Sequence, residues 1–91
     1  MTTEIRTTTS AGLHVYESGR PGRTVLLFLH GSPLSGRMWL LQLERLTEFH
    51  CLAPDLPEHG QSSQVRPFSM QDAVRRLADI LRQAAPDGSG H

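Results

Sequence analysis

The sequence contains no lysine, a single cysteine and no apolar run longer than five residues. Each shortage excludes something. One thiol, Cys51, cannot close an internal disulfide or build a thiolate metal centre by itself, so a reducing compartment is expected. The longest apolar run, Val25 to Leu29, is far too short to span a bilayer, and Met1-Thr2-Thr3-Glu4-Ile5-Arg6 lacks the basic start and apolar stretch of a signal peptide. All nine basic residues are arginine, spread from Arg6 to Arg82 without a cluster, and the formal net charge is zero. Nucleic acid, an anionic membrane and a strongly acidic partner are therefore not indicated. The chain is expected to be cytoplasmic, and its 91 residues allow at most one domain with a modest core.

What is present is an α/β pattern. Glu4 to Thr9 and Leu13 to Glu17 read as two short strands joined near Ser10 to Gly12, with Leu13, Val15 and Glu17 on one face. Ser18 to Arg23 is dense in turn formers. Val25 to Leu29 does not alternate, which predicts a strand covered on both faces, as in parallel sheets flanked by helices. Ser35 can cap a helix that carries Trp39, Leu43 and Leu46 inward and ends near Phe49, with Trp39 read as core. Cys51 to Ala53 is a brief strand stopped by Pro54, and a loop follows from Asp55 to Pro67. Ser69 with Asp72 forms a capping pattern ahead of Met70, Ala73, Val74, Leu77, Leu81 and Ala84, which recur at helical spacing until Pro86-Asp87-Gly88. Arg75, Arg76 and Arg82 stand three or four residues from Asp72 or Asp79 and make a solvated face. No repeat, low-complexity tract or linker interrupts residues 1–91.

The order strand, strand, strand, helix, strand, helix places His30-Gly31-Ser32-Pro33 at the carboxyl end of a buried strand, where open α/β sheets bind ligands. Gly31 permits a turn without a Cβ clash and leaves the Ser32 N–H free to face a crevice, while Pro33 stops the strand. A preorganised backbone N–H of this kind suits acyl transfer, where negative charge develops on a carbonyl oxygen.

"VLLFLHGSP" followed by "HCLAPDLPEHGQSS", with "GLHVYESG" as second strand, resembles the amino-terminal part of an α/β-hydrolase. The resemblance implies a partial sheet of that fold, two leading strands then strand-helix-strand-helix, truncated before the nucleophile strand. Residues 1–91 would be the amino-terminal part of one domain, roughly the first third of a usual member. It also implies that Ser32 lends its backbone N–H to an oxyanion hole. His30, Gly31, Pro33, Asp55, His59 and Gly60, together with Pro57 and Ser62, would shape the loops around it. Glu58 stands where the family's loop has glycine, and a residue with a Cβ is penalised at positive φ.

The glycine-x-serine-x-glycine pattern of a serine nucleophile occurs nowhere in the chain, so the chain alone is expected to be inactive. Ser35, Asp55 and His59 follow the family's triad order, and Ser32 with His30 offers a second pair, but order does not supply hydrogen-bond geometry. A metal site from His30 and His59 lacks supporting ligands at suitable spacing, and no cofactor is expected. The leading expectation is a cofactor-independent hydrolase of an ester, lactone, epoxide or related bond in a small molecule. The rival is a noncatalytic remnant or binding module; a nucleotide-binding domain is disfavoured because "HGSPLSG" is not a phosphate loop. In the sheet order that the resemblance implies, the third strand lies between the fourth and a fifth that the chain lacks, so one sheet edge would be open to self-association.

Overall fold

A computed structural model describes residues 4–30, 35–66 and 69–85. Four strands form one mixed sheet in the order β1-β2-β4-β3: β1 (Ile5–Ser10), β2 (Leu13–Ser18), β3 (Val25–Leu27) and β4 (His50–Pro54). The first two are an antiparallel hairpin joined by Ala11 and Gly12, both at positive φ, as the twist-matched two-residue turns require. β2 then pairs antiparallel with β4, and β3 pairs parallel with β4.

Alternation along the strands divides the core in two. One face of the sheet gathers Leu13, Val15, Val25 and Leu52 against Ile80 and Ala85 of the carboxyl-terminal helical segment. The other gathers Tyr16, Cys51 and Ala53 against Leu43, with Trp39, Leu40 and Leu46 packed around them. Both faces of the sheet are therefore covered by helix, the three-layer arrangement of an α/β fold. Glu17 shares the first face with Leu13 and Val15, and its carboxylate is met there by His50 Nε2 at 2.5 Å and Arg6 Nη2 at 3.4 Å. A buried charge needs such partners.

Three expectations are corrected. The third strand stops at Leu27; Phe28 still donates to Leu52 O at 2.9 Å, but Leu29 is 49% exposed. Its apolar run is covered on both faces through Phe28, with Val25 and Leu27 in one core and Leu26 and Phe28 against the other, and Leu29 alone lies open. The helix after Ser35 is broken into a 3₁₀ turn, Gly36–Trp39, and α1, Leu40–Arg45, and it ends at Leu46 well before Phe49. Six α-helical residues are too few to persist alone. They are held by fully buried Leu43 and by Ser18 Oγ, which donates to Leu43 O at 2.7 Å.

The last helix, α2, runs Met70–Ala84 and is capped by Ser69, whose Oγ accepts the Asp72 N–H at 3.0 Å. Its buried stripe keeps Ala73, Leu81 and Ala84 of the expected spacing, adds Ile80 and leaves out Met70 and Val74. Met70 and Val74 are 68% and 56% exposed, while Ala73 and Ile80 are buried, because residues 73, 77, 80, 81 and 84 define the side that meets the sheet. Arg76 fixes the amino-terminal end by donating to Ala11 O at 2.7 Å and to Asp72 Oδ2 at 2.8 Å. No described helix is long and apolar enough to cross a membrane.

Candidate active-site corner

The carboxyl ends of the parallel strands β3 and β4 lie side by side, and the loops leaving them meet at Asp55. This residue follows the last residue of β4, and it is completely buried. Its Oδ1 accepts the Gly36 N–H at 2.6 Å and its Oδ2 accepts the Gln61 N–H at 2.8 Å. Two backbone donors on one carboxylate are charge-assisted bonds, each stabilising by about 1.5–3 kcal/mol.

The bonds depend on close approach. A Cβ on Gly60, whose φ is +50, would lie 2.5 Å from Asp55 Oδ2, and a Cβ on Gly36 would lie 2.4 Å from Ala53 O. Neither glycine tolerates a side chain without displacing what it touches.

The next residue makes the second tie between the loops. Leu56 donates its N–H to His30 Nε2 at 3.0 Å. An accepting Nε2 carries no proton, so the neutral His30 ring holds its hydrogen on Nδ1. His59 packs edge-on to His30 with ring centroids 5.1 Å apart, and its Nδ1 faces Pro57 O at 2.9 Å. A carbonyl only accepts, so His59 carries hydrogen on Nδ1. Both histidine arrangements fix backbone. Glu58 lies in the left-handed region at φ 65, and its N–H donates to Ser62 O at 3.1 Å. Gly31, Ser32 and Pro33 lie outside the described residues.

The triad-like order of Ser35, Asp55 and His59 does not form the usual chain of nucleophile, base and orienting acid. Ser35 Oγ caps the 3₁₀ turn by accepting the Arg37 N–H, and both Asp55 oxygens accept backbone N–H groups. Among the described residues, no group of three or more histidine, cysteine, aspartate or glutamate side chains could hold a metal ion.

One residue of this corner escaped the sequence reading. His14, on β2, accepts the Asp55 N–H through its carbonyl at 2.8 Å and donates its own N–H to Ser62 Oγ at 3.0 Å. It thus touches both ends of the 55–62 loop. The signal was available in the alternation of β2, which turns His14 away from Leu13 and Val15. Beside it, Tyr16 packs edge-on at 4.8 Å. Burial, and secondarily the Asp55 charge, hold the Tyr16 hydroxyl above its usual 10.0, with Arg37 opposing.

With this geometry established, comparison with known proteins identifies the class. The residue pattern of the Alpha/beta hydrolase family matches residues 26–91. The chain belongs to that family. It is 38% identical over 78 residues to an AB hydrolase superfamily protein of Gibberella zeae, covering 84% of this chain and 28% of the relative. It is 34% identical over 76 residues to epoxide hydrolase A of Mycobacterium tuberculosis, covering 81% of this chain and 24% of the relative. Among solved structures, an M. tuberculosis esterase superposes with a TM-score of 0.73 at 27% identity, covering 94% of this chain and 30% of the esterase. The chain therefore spans about a quarter to a third of these relatives.

Proposed function

We propose that residues 1–91 are the amino-terminal part of a single, cytoplasmic, cofactor-independent α/β-hydrolase domain that cleaves an ester, lactone, epoxide or related bond in a small molecule. The observation that carries the reading is the pair of ties at the carboxyl ends of β3 and β4, Gly36 N–H to Asp55 and Leu56 N–H to His30. They tie His30 and Gly36, on either side of residues 31–34, to the residues that follow β4. In this reading Ser32 offers its backbone N–H to the developing oxyanion, and His30, Gly31, Pro33, Asp55, His59 and Gly60 shape the loops around it. One such preorganised donor contributes about 3 kcal/mol to the transition state of acyl transfer. The relatives support the breadth of the proposed substrate class, since an epoxide hydrolase and an esterase are both among them.

The nucleophile, its acid and the catalytic histidine belong to further sequence in this reading, so the 91 residues alone turn over no substrate. The absence of any glycine-x-serine-x-glycine in the chain equally favours a second reading, a noncatalytic relative that keeps the corner. The outer edge of β3 is unpaired among the described strands, and in the isolated chain that edge is a place for two copies to associate.

The test uses the product of the longer coding region on short p-nitrophenyl esters and on epoxides. Ser32→Pro removes the proposed donor and should lower kcat by about 100-fold or more, whereas Ser32→Ala keeps it and should be mild. Equal rates for the proline variant and the parent contradict the donor role. A product with no turnover of any of these bonds favours the noncatalytic reading.

A further inference from the structure

The Asp55 carboxylate is fully buried, yet its two bonded partners are neutral amides. Such a charge is costly to bury unless something near it supplies positive potential or a further donor. The titratable ring beside it is that of His14, whose Nδ1 lies 3.4 Å from Asp55 Oδ2. That same nitrogen is buried and has no hydrogen-bond partner among the described residues, the geometry at 3.4 Å being too poorly aligned for one. Buried polar atoms without a partner are rare enough to need a cause.

The two anomalies explain one another. A bare Nδ1 would set a lone pair beside a carboxylate oxygen, which is repulsive; a protonated Nδ1 would set positive partial charge there at 3.4 Å, attractive even without an aligned hydrogen bond. From this geometry we infer that His14 carries hydrogen on Nδ1 and is a positioning residue acting through Asp55. Its ring holds Oδ2 on the side of Gln61 and thereby keeps Oδ1 directed at the Gly36 N–H. Nothing in the histidine-glycine motif or in the Asp55 to Ser62 loop contains His14; β2 brings it there through the Asp55 N–H bond to its carbonyl. The other groups around the carboxylate do not replace it: Tyr16 packs against the His14 ring, and Arg37 engages Tyr16. His30 and His59 direct ring nitrogens at Leu56 N–H and Pro57 O. The inference rests on the proposed function only for what the positioned segment goes on to do.

The decisive measurement is the ¹⁵N spectrum of the 91-residue chain with labelled histidine rings, read in solution or, for associated material, by magic-angle spinning. The His14 signals are assigned by their loss in His14→Phe. The expected result is a protonated Nδ1 that loses its hydrogen to Nε2 in Asp55→Asn. Amide exchange gives the second readout. His14→Phe keeps a ring but no donor and should speed exchange at Gly36 by about tenfold or more. His14→Asn, which places an amide N–H where Nδ1 stands, should restore protection.

A neutral ring with hydrogen on Nε2 in the unaltered chain overturns the inference. So does an Nδ1–H that ignores Asp55→Asn. If His14→Phe does not fold, the ring signals are assigned instead by through-bond correlation to the His14 backbone amide, and the tautomer in the unaltered chain and in Asp55→Asn decides alone. None of these readouts involves turnover, so their failure is distinguishable from failure of the Ser32 assignment.

Discussion

Replacing Glu58 with glycine should stabilise the protein, although it deletes a side chain. Glu58 sits at φ 65, where an L-residue with a Cβ costs about 1–2 kcal/mol relative to the right-handed region. Glycine removes that cost but adds about 0.4–1 kcal/mol of backbone freedom to the unfolded chain. The side chain is exposed and the N–H bond to Ser62 O at 3.1 Å belongs to the backbone, so glycine keeps it. The net expectation for Glu58→Gly is a gain of about 0.5–1 kcal/mol from the backbone, less what the glutamate side chain's own contact contributes, which at an exposed position is under about 0.5 kcal/mol. For a domain of this size that raises Tm by roughly 2–8 °C, or moves the urea midpoint up by about 0.3–0.5 M at an unchanged slope. Gly60→Ala, two residues away, supplies the opposite sign. Its Cβ would lie 2.5 Å from Asp55 Oδ2 and 2.7 Å from Asp55 Cγ, so the carboxylate that receives the Gly36 and Gln61 amides must move. A loss of about 3 kcal/mol is expected from weakening two charge-assisted bonds together. Urea unfolding of the three chains side by side checks both numbers. Destabilisation by Glu58→Gly of more than about 0.5 kcal/mol would refute the strain argument, showing that the contacts of the glutamate side chain outweigh its backbone cost.

Other expectations follow from the same coordinates. Leu43→Ala should cost about 2–5 kcal/mol because Leu43 is wholly buried at the centre of one core, whereas Leu41→Ala, at a half-exposed position, should cost under about 0.5 kcal/mol in the same unfolding assay. Burial pushes the Cys51 thiol up from its usual 9.0, so a thiol reagent at neutral pH should label it only after denaturant is added; rapid labelling of folded protein would contradict that burial. The raised Tyr16 hydroxyl has the opposite sign to a paired carboxylate. Its stability contribution is fully present below the unfolded value near 10.0 and is lost as pH rises through the higher folded value. Unfolding free energy should therefore fall above about pH 10, and Tyr16→Phe should flatten that fall.

Local signals were legible in the sequence and long-range ones were not. The Ser69 cap of α2 was readable because capping needs only residues three apart, and the Asp72 N–H does bond Ser69 Oγ. The positive φ of Glu58 was foreshadowed by its departure from a loop pattern. The coverage of both faces of Val25 to Phe28 was legible in the unbroken apolar run, but the run does not report where ladder pairing ends, and the strand stops at Leu27 with Leu29 exposed. The helix after Ser35 was read too long because apolar spacing continues through Leu46, while Leu46 itself leaves the helical region at ψ 66. The stripe of α2 was misassigned at Met70 and Val74 because periodicity does not say where a helix meets its sheet. His14 was missed for the same reason: its partner Asp55 is 41 positions away, and register between β2 and β4 is set by the whole sheet.

Under the proposed function the Ser32 N–H meets a developing oxyanion. In a form that carries the proposed nucleophile together with residues 1–91, labelled at Ser32, the amide proton is followed by NMR as a tetrahedral phosphonate inhibitor is added. The account predicts a large downfield shift and slowed exchange at Ser32 on inhibitor binding. An inhibitor that binds covalently while the Ser32 amide stays unmoved would contradict it.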